Sequence, residues 1–413
     1  MRAISLFTGA GGLDIGVERA ADCELLLAVE FDPMAVEALR DNVERGLLGS
    51  SRTVVRRADL ATLDPRTARR ELGLKRGELD LLVGGPPCQS FSTAGRRRTV
   101  QDPRGTMIWS YLRWVEEFQP RFFLLENVRG LLSAALRHRP IAERPVHGGP
   151  PLALDEEPGS VVAAWIDDLR AADPAYRVDC FEVNAVNYGA PQLRERVLLV
   201  GNREGKVVRF PEPTHGVAPG LQPYETLADA LRGLEEDAPV IMDFSARKKA
   251  YLGKVPPGGN WRALPERLQR ESMGRAFHAK GGRSGWWRRL SWDLPCPTIV
   301  TMPNHASSSL CHPDEVRTLT VRECARVQGF PDEWGFSGTP QQQYAQVGNA
   351  VPIRLAEVAG EAIRDARAAS PEPVAALEPF RRVYLKSHVR TRRWYKDGDA
   401  YLRADGADVA VPA

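Results

Sequence analysis

The sequence lacks any apolar run long enough to cross a membrane. Its longest runs, "ELLLAVEF" and "RFFLLEN", fall far short of the roughly 20 consecutive apolar residues that a spanning helix needs. The N-terminus "MRAISLFTGAGG" enters a predicted strand at once, without the pattern of a signal peptide. We therefore expect a cytoplasmic protein that makes no membrane contact.

Paired cysteines and an excess of one charge are also lacking. The six cysteines include no C-x-x-C pair, which argues against a zinc knuckle, a disulfide framework and a dithiol redox motif. We expect no metal, and Cys88 has to be explained on its own. The 56 Lys and Arg residues nearly balance 53 Asp and Glu residues, leaving a net charge of +3. Any contact with nucleic acid must therefore come from a local patch.

What the chain does contain is an alternation of apolar β-rich runs with amphipathic stretches over about the first 200 residues. The runs "AISLF", "CELLLAVE", "LDLLVGG", "RFFLLENV" and "RERVLLVGN" predict strands, and "GLDIGVERAA" and "PMAVEALRDNV" predict helices between them. This alternation predicts a parallel α/β sheet. Sites in such sheets lie just past the carboxyl ends of the strands.

Changes in composition divide the chain. Residues 1–202 carry the α/β pattern, interrupted by a Pro/Gly-rich surface insertion at about 137–160. Residues 203–316 are rich in Pro, Gly, Trp and Arg, which predicts a second, smaller, loop-rich domain. Helical patterns return over 317–367, and the tail 368–413 turns basic. The tail interleaves aromatic and basic residues, so DNA contact and docking on the enzyme or a partner both stay open.

The stretch "FTGAGGLDIG" places a Gly-rich turn between the first strand and the first helix. Glycines let the backbone approach a ligand closely, and the helix N-terminus favours a carboxylate or phosphate. The spacing of Gly9, Gly11 and Gly12 differs from the G-x-G-x-x-G of a dinucleotide cradle. A plain tight turn is the alternative interpretation.

Acidic residues near two further strand ends suggest a nucleoside. Glu30 can accept hydrogen bonds from both ribose hydroxyls, Phe31 can cover an adenine face, and Asp59 can take the adenine amino group. Alternatively, each of these acidic residues simply ends a strand in solvent and binds no ligand. A nucleoside ligand without phosphate suits S-adenosyl-L-methionine better than NAD.

Cys88 follows a predicted strand through the rigid pair Pro86-Pro87. A buried structural thiol is the alternative role. Glu126 and Asn127 end another strand and are expected at the same sheet edge. A thiol and a carboxylic acid together fit addition to an electron-poor ring, with the acid protonating the ring nitrogen. A nucleoside methyl donor beside them would indicate that the electron-poor ring is a pyrimidine.

Six segments resemble the sequential motifs of the DNA (cytosine-5)-methyltransferases, in that family's order: "FTGAGG", "GGPPCQSFS", "ENV", "QLRER", "RTLTVRECARVQGFP" and "GNAVP". The resemblance covers nearly all of the chain except 203–316, the insertion and the tail. It implies a Rossmann-like S-adenosylmethionine-dependent methyltransferase sheet with a second, smaller, loop-rich target-recognition domain. It also implies methylation at C5 of a flipped-out cytosine in duplex DNA through a covalent intermediate.

The resemblance assigns catalytic roles residue by residue. Cys88 is the nucleophile at cytosine C6, and Glu126 holds and protonates N3. Gln192 and Arg194 order the site, and Arg196 is expected at the cytosine O2.

The family's cofactor pocket, for S-adenosyl-L-methionine and its product S-adenosyl-L-homocysteine, matches twelve positions. These are Phe7, Gly9, Gly11, Gly12, Glu30, Phe31, Asp59, Leu60, Pro87, Met107, Asn349 and Val351.

DNA contact is expected from the residues after the nucleophile, from "QLRER" and from the loop-rich domain. After the nucleophile, in a loop that the resemblance implies closes on DNA, the candidates are Gln89, Ser92, Arg104 and the arginine run of "TAGRRRTV", and in "QLRER" the candidate is Gln192. In the loop-rich domain, the candidate base readers are Arg283, Arg288, Arg289 and Asn304. Trp286 and Trp287 are expected to pack in that domain's core.

The expected partners are double-stranded DNA and a cognate restriction endonuclease or other defence-system subunits, with the enzyme itself a monomer in the nucleoid-associated cytoplasm. A transfer-RNA cytosine-5 methyltransferase would share all six motifs, but the Cys-Phe-Thr tripeptide of that branch is absent. A non-catalytic DNA-binding relative would tend to lose Cys88 or Glu126. In a dinucleotide-dependent oxidoreductase, neither Cys88 nor Glu126 would have a role.

Overall fold

The computed structural model of the protein describes residues 1–87, 107–279 and 283–371 and the strand at 381–384. The described residues fall into two units. The first lies within Met1–Val183, Glu195–Pro211 and Ala356–Leu385, and the second within Asn184–Arg194 and Glu212–Leu355. The sequence predicts that the second domain begins near residue 203 and that the chain returns to the first domain from 317. In the structure, the long segment of the second unit begins at 212, and the chain returns to the first unit at 356. Within the described ranges, no helix is both long and apolar enough to span a membrane.

Ten strands lie in the described chain: β1 (Arg2–Leu6), β2 (Glu24–Glu30), β3 (Val54–Arg57), β4 (Leu81–Gly84), β5 (Phe122–Asn127), β6 (Arg177–Asn184), β7 (Gln192–Leu193), β8 (Glu195–Asn202), β9 (Cys296–Pro297) and β10 (Arg381–Tyr384). Eight of them form one sheet in the order β10-β6-β8-β5-β4-β1-β2-β3. The remaining two, β7 and β9, pair in parallel in the second unit.

Five strand pairings in the large sheet are parallel: β1 with β2 and β4, β2 with β3, β4 with β5, and β6 with β10. The α/β class predicted from the sequence is confirmed. The expectation of a parallel direction is wrong for β8, which runs antiparallel to β5 with Asn127 opposite Val197. The chain runs from the end of β6 to the start of β8 through residues 185–194. These residues are all described and contain no α-helix, whereas a parallel crossover between neighbouring strands usually contains one.

Among the described residues, five helices lie wholly in the first unit and five wholly in the second: α1 (Gly12–Ala21), α2 (Pro33–Glu44), α3 (Pro65–Glu71), α4 (Met107–Phe118) and α5 (Ser160–Ala171), then α6 (Leu227–Leu231), α7 (Ala246–Leu252), α8 (Glu266–Met273), α9 (Val321–Gln328) and α10 (Pro340–Asn349). Helix α11 (Ile353–Ala368) follows, mostly in the first unit. Local sequence explains several starts. Asp32 and Asp64 cap α2 and α3 just before a proline at the first helical position.

The core of the first unit lies against the sheet and includes fully buried aromatic residues. Trp114 of α4 and Trp165 of α5 are 0% exposed, and Phe123 of β5 packs edge-on against Trp165. All six residues of β5 are buried, as expected for a central strand covered on both faces. Strand β5 therefore holds a fixed position from which Glu126 and Asn127 extend.

The insertion lies on the surface and is closed by ion pairs. Arg137 donates to both carboxylate oxygens of Asp155 at 2.8 and 3.1 Å, and it lies 3.4 Å from the buried Glu156. Arg139 also pairs with Glu156. Two short 3-10 turns lie between the arginines and their partners, and a third contains Asp155 and Glu156. The expected surface insertion at 137–160 is thus an ordered loop.

The second unit has its own apolar cluster. Trp287 is 3% exposed and packs near Tyr251 and Trp261, and Trp286 packs against this cluster. The predicted core role of the Trp pair is confirmed.

Candidate active site

The turn between β1 and α1 depends on unusual backbone angles. Phe7, Gly9 and Gly11 all have positive φ, at 55°, 58° and 80°. Glycine adopts this region without strain, which explains two of the three residue choices. The turn brings the Gly9 amide to 2.8 Å from Glu30 Oε2, so the first two strands are joined where they end.

Glu30 is held in place by backbone amides. Its Oε1 accepts hydrogen bonds from the amides of Phe31 at 2.7 Å and Asp32 at 2.8 Å. A carboxylate has about four lone-pair sites, and these three amides leave one of them, on Oε2, for a ligand's hydroxyl group. Phe31 is 64% exposed, a large apolar surface beside this carboxylate. These features fit a ribose and an adenine.

Asp59 lies two residues past β3, beside β2 in the sheet. One of its carboxylate oxygens accepts from the Ala61 amide at 2.9 Å, and Leu60 is buried beside it. Five expected cofactor residues, Phe7, Gly9, Glu30, Phe31 and Asp59, therefore follow the ends of three neighbouring strands. Gly11 and Gly12 form the start of α1, as expected.

The sequence did not draw attention to Asp14. It is 4% exposed in the first turn of α1, and neither carboxylate oxygen has a hydrogen-bond partner within the described parts of the chain. Burial raises the pKa of Asp14 to about 7. The nearby Ser5 hydroxyl lowers the pKa of Asp14, but it offsets only part of the effect of burial. The Ser5 hydroxyl oxygen accepts a hydrogen bond from the Thr8 hydroxyl. The apolar periodicity of the helix gives no signal for a buried carboxyl.

Glu126 forms an ion pair with Arg196 across β5 and β8. Arg196 Nε lies 2.6 Å from Glu126 Oε1, and the side chains are only 12% and 11% exposed. A Cβ at residue 85 would lie 3.1 Å from Glu126 Oε2, so Gly85 leaves room for the carboxylate. The next residue, Asn127, donates to the Pro86 carbonyl oxygen at 3.0 Å. This bond fixes the chain two residues before Cys88.

Several expected residues lie outside the described part of the chain: Cys88, Gln89, Ser92, Arg104 and the arginine run. Pro87, the last described residue before them, is exposed, and Met107 opens α4 half-buried.

Arg194 and Gln192 are anchored inside the second unit. The buried Arg194 guanidinium donates to the carbonyl oxygens of Ile299 at 3.0 Å and Gly348 at 2.9 Å. Gln192, which is 0% exposed, donates to Val327 O and to Gln328 Oε1. These contacts favour positioning roles. The direct DNA contact expected of Gln192 stays a prediction, and its burial weighs against it.

Asn349 and Val351 belong to the second unit. Asn349 is the exposed last residue of α10, and Val351 is 8% exposed. The preceding Gly348 packs against the backbone at 300–301, where a Cβ would lie 2.6 Å from the Thr301 nitrogen. Close packing therefore holds the "GNAVP" segment, and its contact with the cofactor stays a prediction.

The candidate base readers differ in their availability. Arg289 donates to three carbonyl oxygens, those of Pro313, Val255 and Asp314. Arg288 is 6% exposed and donates to Ser309 O. Both arginines connect loops of the second unit, an arrangement that disfavours base reading.

Arg283 and Asn304 are less enclosed. The Arg283 guanidinium lies 5.1 Å from the Trp261 ring centroid and donates to the Phe277 carbonyl oxygen. Asn304 is half-buried and donates to Asp243 O at 3.3 Å, a long hydrogen bond. Of the four, Asn304 keeps the most freedom to contact a base.

Comparison with known proteins gives the family. Residues 1–365 match the family model described as C-5 cytosine-specific DNA methylase. The chain is 36% identical over 381 residues to the type II methyltransferase M.PspPI of Psychrobacter sp., covering 90% of this chain and 80% of that one. It is 35% identical over 357 residues to M.Sau96I of Staphylococcus aureus, covering 86% and 74%.

Among solved structures, a DNA modification methyltransferase encoded within an E. coli prophage superposes with a TM-score of 0.58 at 23% identity. The match covers 89% of this chain and 100% of that chain, which supports the fold. With the match over 1–365 and the strand ends that carry Glu30 and Glu126, the chain belongs to the C-5 cytosine-specific DNA methylases and is a DNA cytosine-5-methyltransferase.

Proposed function

We propose that the enzyme methylates a cytosine in a specific duplex DNA sequence through a covalent bond from Cys88, with S-adenosyl-L-methionine as donor. The observation that carries the proposal is the Glu126–Arg196 pair at the end of β5. The neighbouring strand β4 ends at Gly84, which pairs with Leu125, and the chain runs on through Gly85–Pro87 to Cys88. The pair offers a carboxyl group and a guanidinium suited to one edge of a cytosine ring.

The cofactor site is proposed at the ends of β1, β2 and β3. Glu30 would accept a hydrogen bond from the ribose through the lone-pair site on Oε2 that its three backbone bonds leave over, and the exposed Phe31 would cover adenine. Asp59 would accept from the adenine amino group. S-adenosyl-L-methionine, when bound, supplies a methyl group on a positively charged sulfur.

The chain's own groups then act on the base. A cytosine within a duplex cannot be reached, so it must rotate out of the stack, at a cost of a few kcal/mol. The Cys88 thiolate forms a bond to C6, Glu126 delivers a proton to N3, and Arg196 donates to O2. Protonation of N3 prevents negative charge from building on the ring, so C5 becomes nucleophilic and takes the methyl group. Loss of the C5 proton to water, breaking of the C6–S bond with departure of the Cys88 thiolate, and return of the N3 proton to Glu126 restore the aromatic ring.

Two further parts of the proposal concern recognition and setting. The second unit would read the target sequence, with Asn304 the preferred candidate. Because the matched relatives are named type II methyltransferases, we place the enzyme in a restriction-modification system. Its product would protect the site from a cognate endonuclease.

The test uses labelled methyl donor with duplex DNA and, in parallel, transfer RNA. Wild-type protein should label the DNA and should be trapped covalently by a duplex with 5-fluorocytosine at the target. Cys88→Ser should abolish both while leaving DNA binding largely intact, because phosphate contacts supply most of the affinity. Cys23→Ser is the matched control, since burial raises the pKa of the Cys23 thiol to about 12 and keeps it protonated. Labelling of transfer RNA alone, or trapping of Cys88→Ser, would contradict the proposal.

A further inference from the structure

Arg129 lies three residues after Glu126, on the turn that follows β5. Its guanidinium makes an ion pair with Glu182 of β6 and lies 3.3 Å, through an Nη, from Glu195 Oε2 of β8. One arginine therefore connects three neighbouring chain segments of the large sheet close to where Glu126 is held.

The burial of Glu182 explains why a cation is needed. The Glu182 side chain is 3% exposed, and an isolated carboxylate at that depth would be strongly destabilising. Arg129, at 46% exposure, supplies the positive charge from the surface side. A planar guanidinium can pair with two carboxylates at once, which a lysine ammonium does less well.

The two ion pairs at this end of the sheet have opposite polarity. Glu126 on the β5 side pairs with Arg196 on the β8 side, and Arg129 on the β5 side pairs with Glu195 on the β8 side. Any exchange of partners would bring two acids or two arginines together. The pairs therefore support a single arrangement of the end of β5 against the start of β8.

Strand geometry puts the two pairs on different faces. Glu195 and Arg196 are consecutive in β8, and consecutive side chains of a strand point to opposite faces of the sheet. The first residues of β8 are thus held from one face by Glu126 and from the other by Arg129. Arg196 also donates to the Glu195 carbonyl oxygen at 2.8 Å, so a shift of Glu195 would reach the Arg196 guanidinium directly.

We propose that Arg129 is a positioning residue, which holds Glu195 and Glu182 so that the Arg196 guanidinium stays aligned on Glu126 during methyl transfer. This inference rests on the proposed function of Glu126 and Arg196. Arg129 need not touch DNA or cofactor, because its effect passes through the start of β8.

The experiment is a double-mutant cycle on the full-length protein, read as single-turnover methyl transfer at saturating donor and DNA. Arg129→Gln should lower the rate constant about tenfold, as a small misplacement of catalytic groups does, with KM for DNA changed less than about twofold. In an Arg196→Ala background, Arg129→Gln should have less than about a twofold further effect, because its route of action is already lost. Arg129→Lys should recover part of the rate.

The matched control is Arg137→Gln. Arg137, in the insertion, is also about half exposed, and like Arg129 it pairs with one buried carboxylate and one more accessible carboxylate. It should leave the methyl-transfer rate unchanged. If Arg129→Gln unfolds, Glu195→Gln serves instead, because it keeps the Arg129–Glu182 pair and should lower the rate in the same non-additive way.

Three results would overturn the inference: an unchanged rate in both Arg129→Gln and Glu195→Gln, a fully additive cycle, or a salt-dependent rise in KM for DNA alone, which would mark a phosphate contact. Failure of the proposed function would look different. Wild-type protein would then not methylate DNA, or would be trapped without Cys88, whatever the Arg129 variants do.

Discussion

Glu126 and Arg196 lie 70 positions apart in the chain, yet Arg196 Nε is 2.6 Å from Glu126 Oε1. The antiparallel pairing of β5 with β8 brings them together, because the end of one strand lies beside the start of the other. Both side chains are nearly buried, so solvent weakens their interaction little. The pair is the best-defined part of the proposed catalytic site.

Replacing Glu126 with Gln keeps the shape of the side chain and removes its ability to deliver a proton. We expect the single-turnover methyl-transfer rate to fall by roughly 10²-fold or more, as is typical for loss of a general acid. DNA binding, measured separately, should change little. Near-normal turnover at saturating methyl donor would remove Glu126 from the mechanism.

Replacing Glu30 with Gln should weaken cofactor binding. An amide has one acceptor oxygen where the carboxylate has two, and its NH₂ group would face backbone N–H donors. Hydrogen bonds to charged groups contribute about 1.5–3 kcal/mol each, so we expect a ten- to hundredfold loss, roughly, in affinity for S-adenosyl-L-homocysteine by calorimetry. Glu37→Gln, on the exposed side of α2, is the control. Equal affinity in both variants would place the cofactor elsewhere.

Asp14 predicts a pH dependence of stability. Its pKa is raised from 3.8 to about 7, so between these values the folded protein keeps a proton that the unfolded chain has released. Unfolding free energy therefore falls as pH rises through this range, and the loss is complete above about pH 7. One pKa unit corresponds to about 1.4 kcal/mol, which makes the total loss up to about 4 kcal/mol.

Asp14→Asn cannot ionise and should remove this dependence. We expect the variant to be more stable than wild type at pH 8, and the difference to disappear near pH 4, in denaturant unfolding followed by circular dichroism. Asp167→Asn, at an exposed position of α5, controls for loss of a surface charge. Parallel pH curves for wild type and Asp14→Asn would show that Asp14 ionises normally.

Sequence choice is predicted to reside in residues 203–316. Transfer of this region into a related enzyme of different specificity should transfer the target sequence, read by methylation of a randomised duplex library. Within the region, Asn304→Ala should relax one base position by about ten- to a hundredfold, since a good bidentate base contact provides about 1–3 kcal/mol of discrimination. Gln341→Ala, exposed on α10, should leave specificity unchanged. A chimera that keeps the recipient's target would contradict this division of labour.

The sequence predicted those features that depend on neighbouring residues. The Gly-rich turn after β1 and the acid at the end of β2 follow from local periodicity and glycine placement, and the structure has both. The direction of β8 could not be predicted, because it depends on which strand it joins across some 70 residues. The enclosure of Arg288 and Arg289 was missed for a similar reason. Their carbonyl partners lie in loops more than 20 residues away in the chain. The sequence pattern of neighbouring arginines is the same whether their side chains face solvent or bind the protein's own backbone.

The pairing of β10 with β6 has a practical consequence for anyone preparing the protein. Backbone groups along β6 from Asp179 to Glu182 pair with β10, so this part of the tail forms the edge of the sheet and covers β6. A truncated version that stops after α11 would leave these groups open to another chain, and uncovered strands of this kind invite aggregation. Trimming the basic tail to improve crystals would then cost solubility.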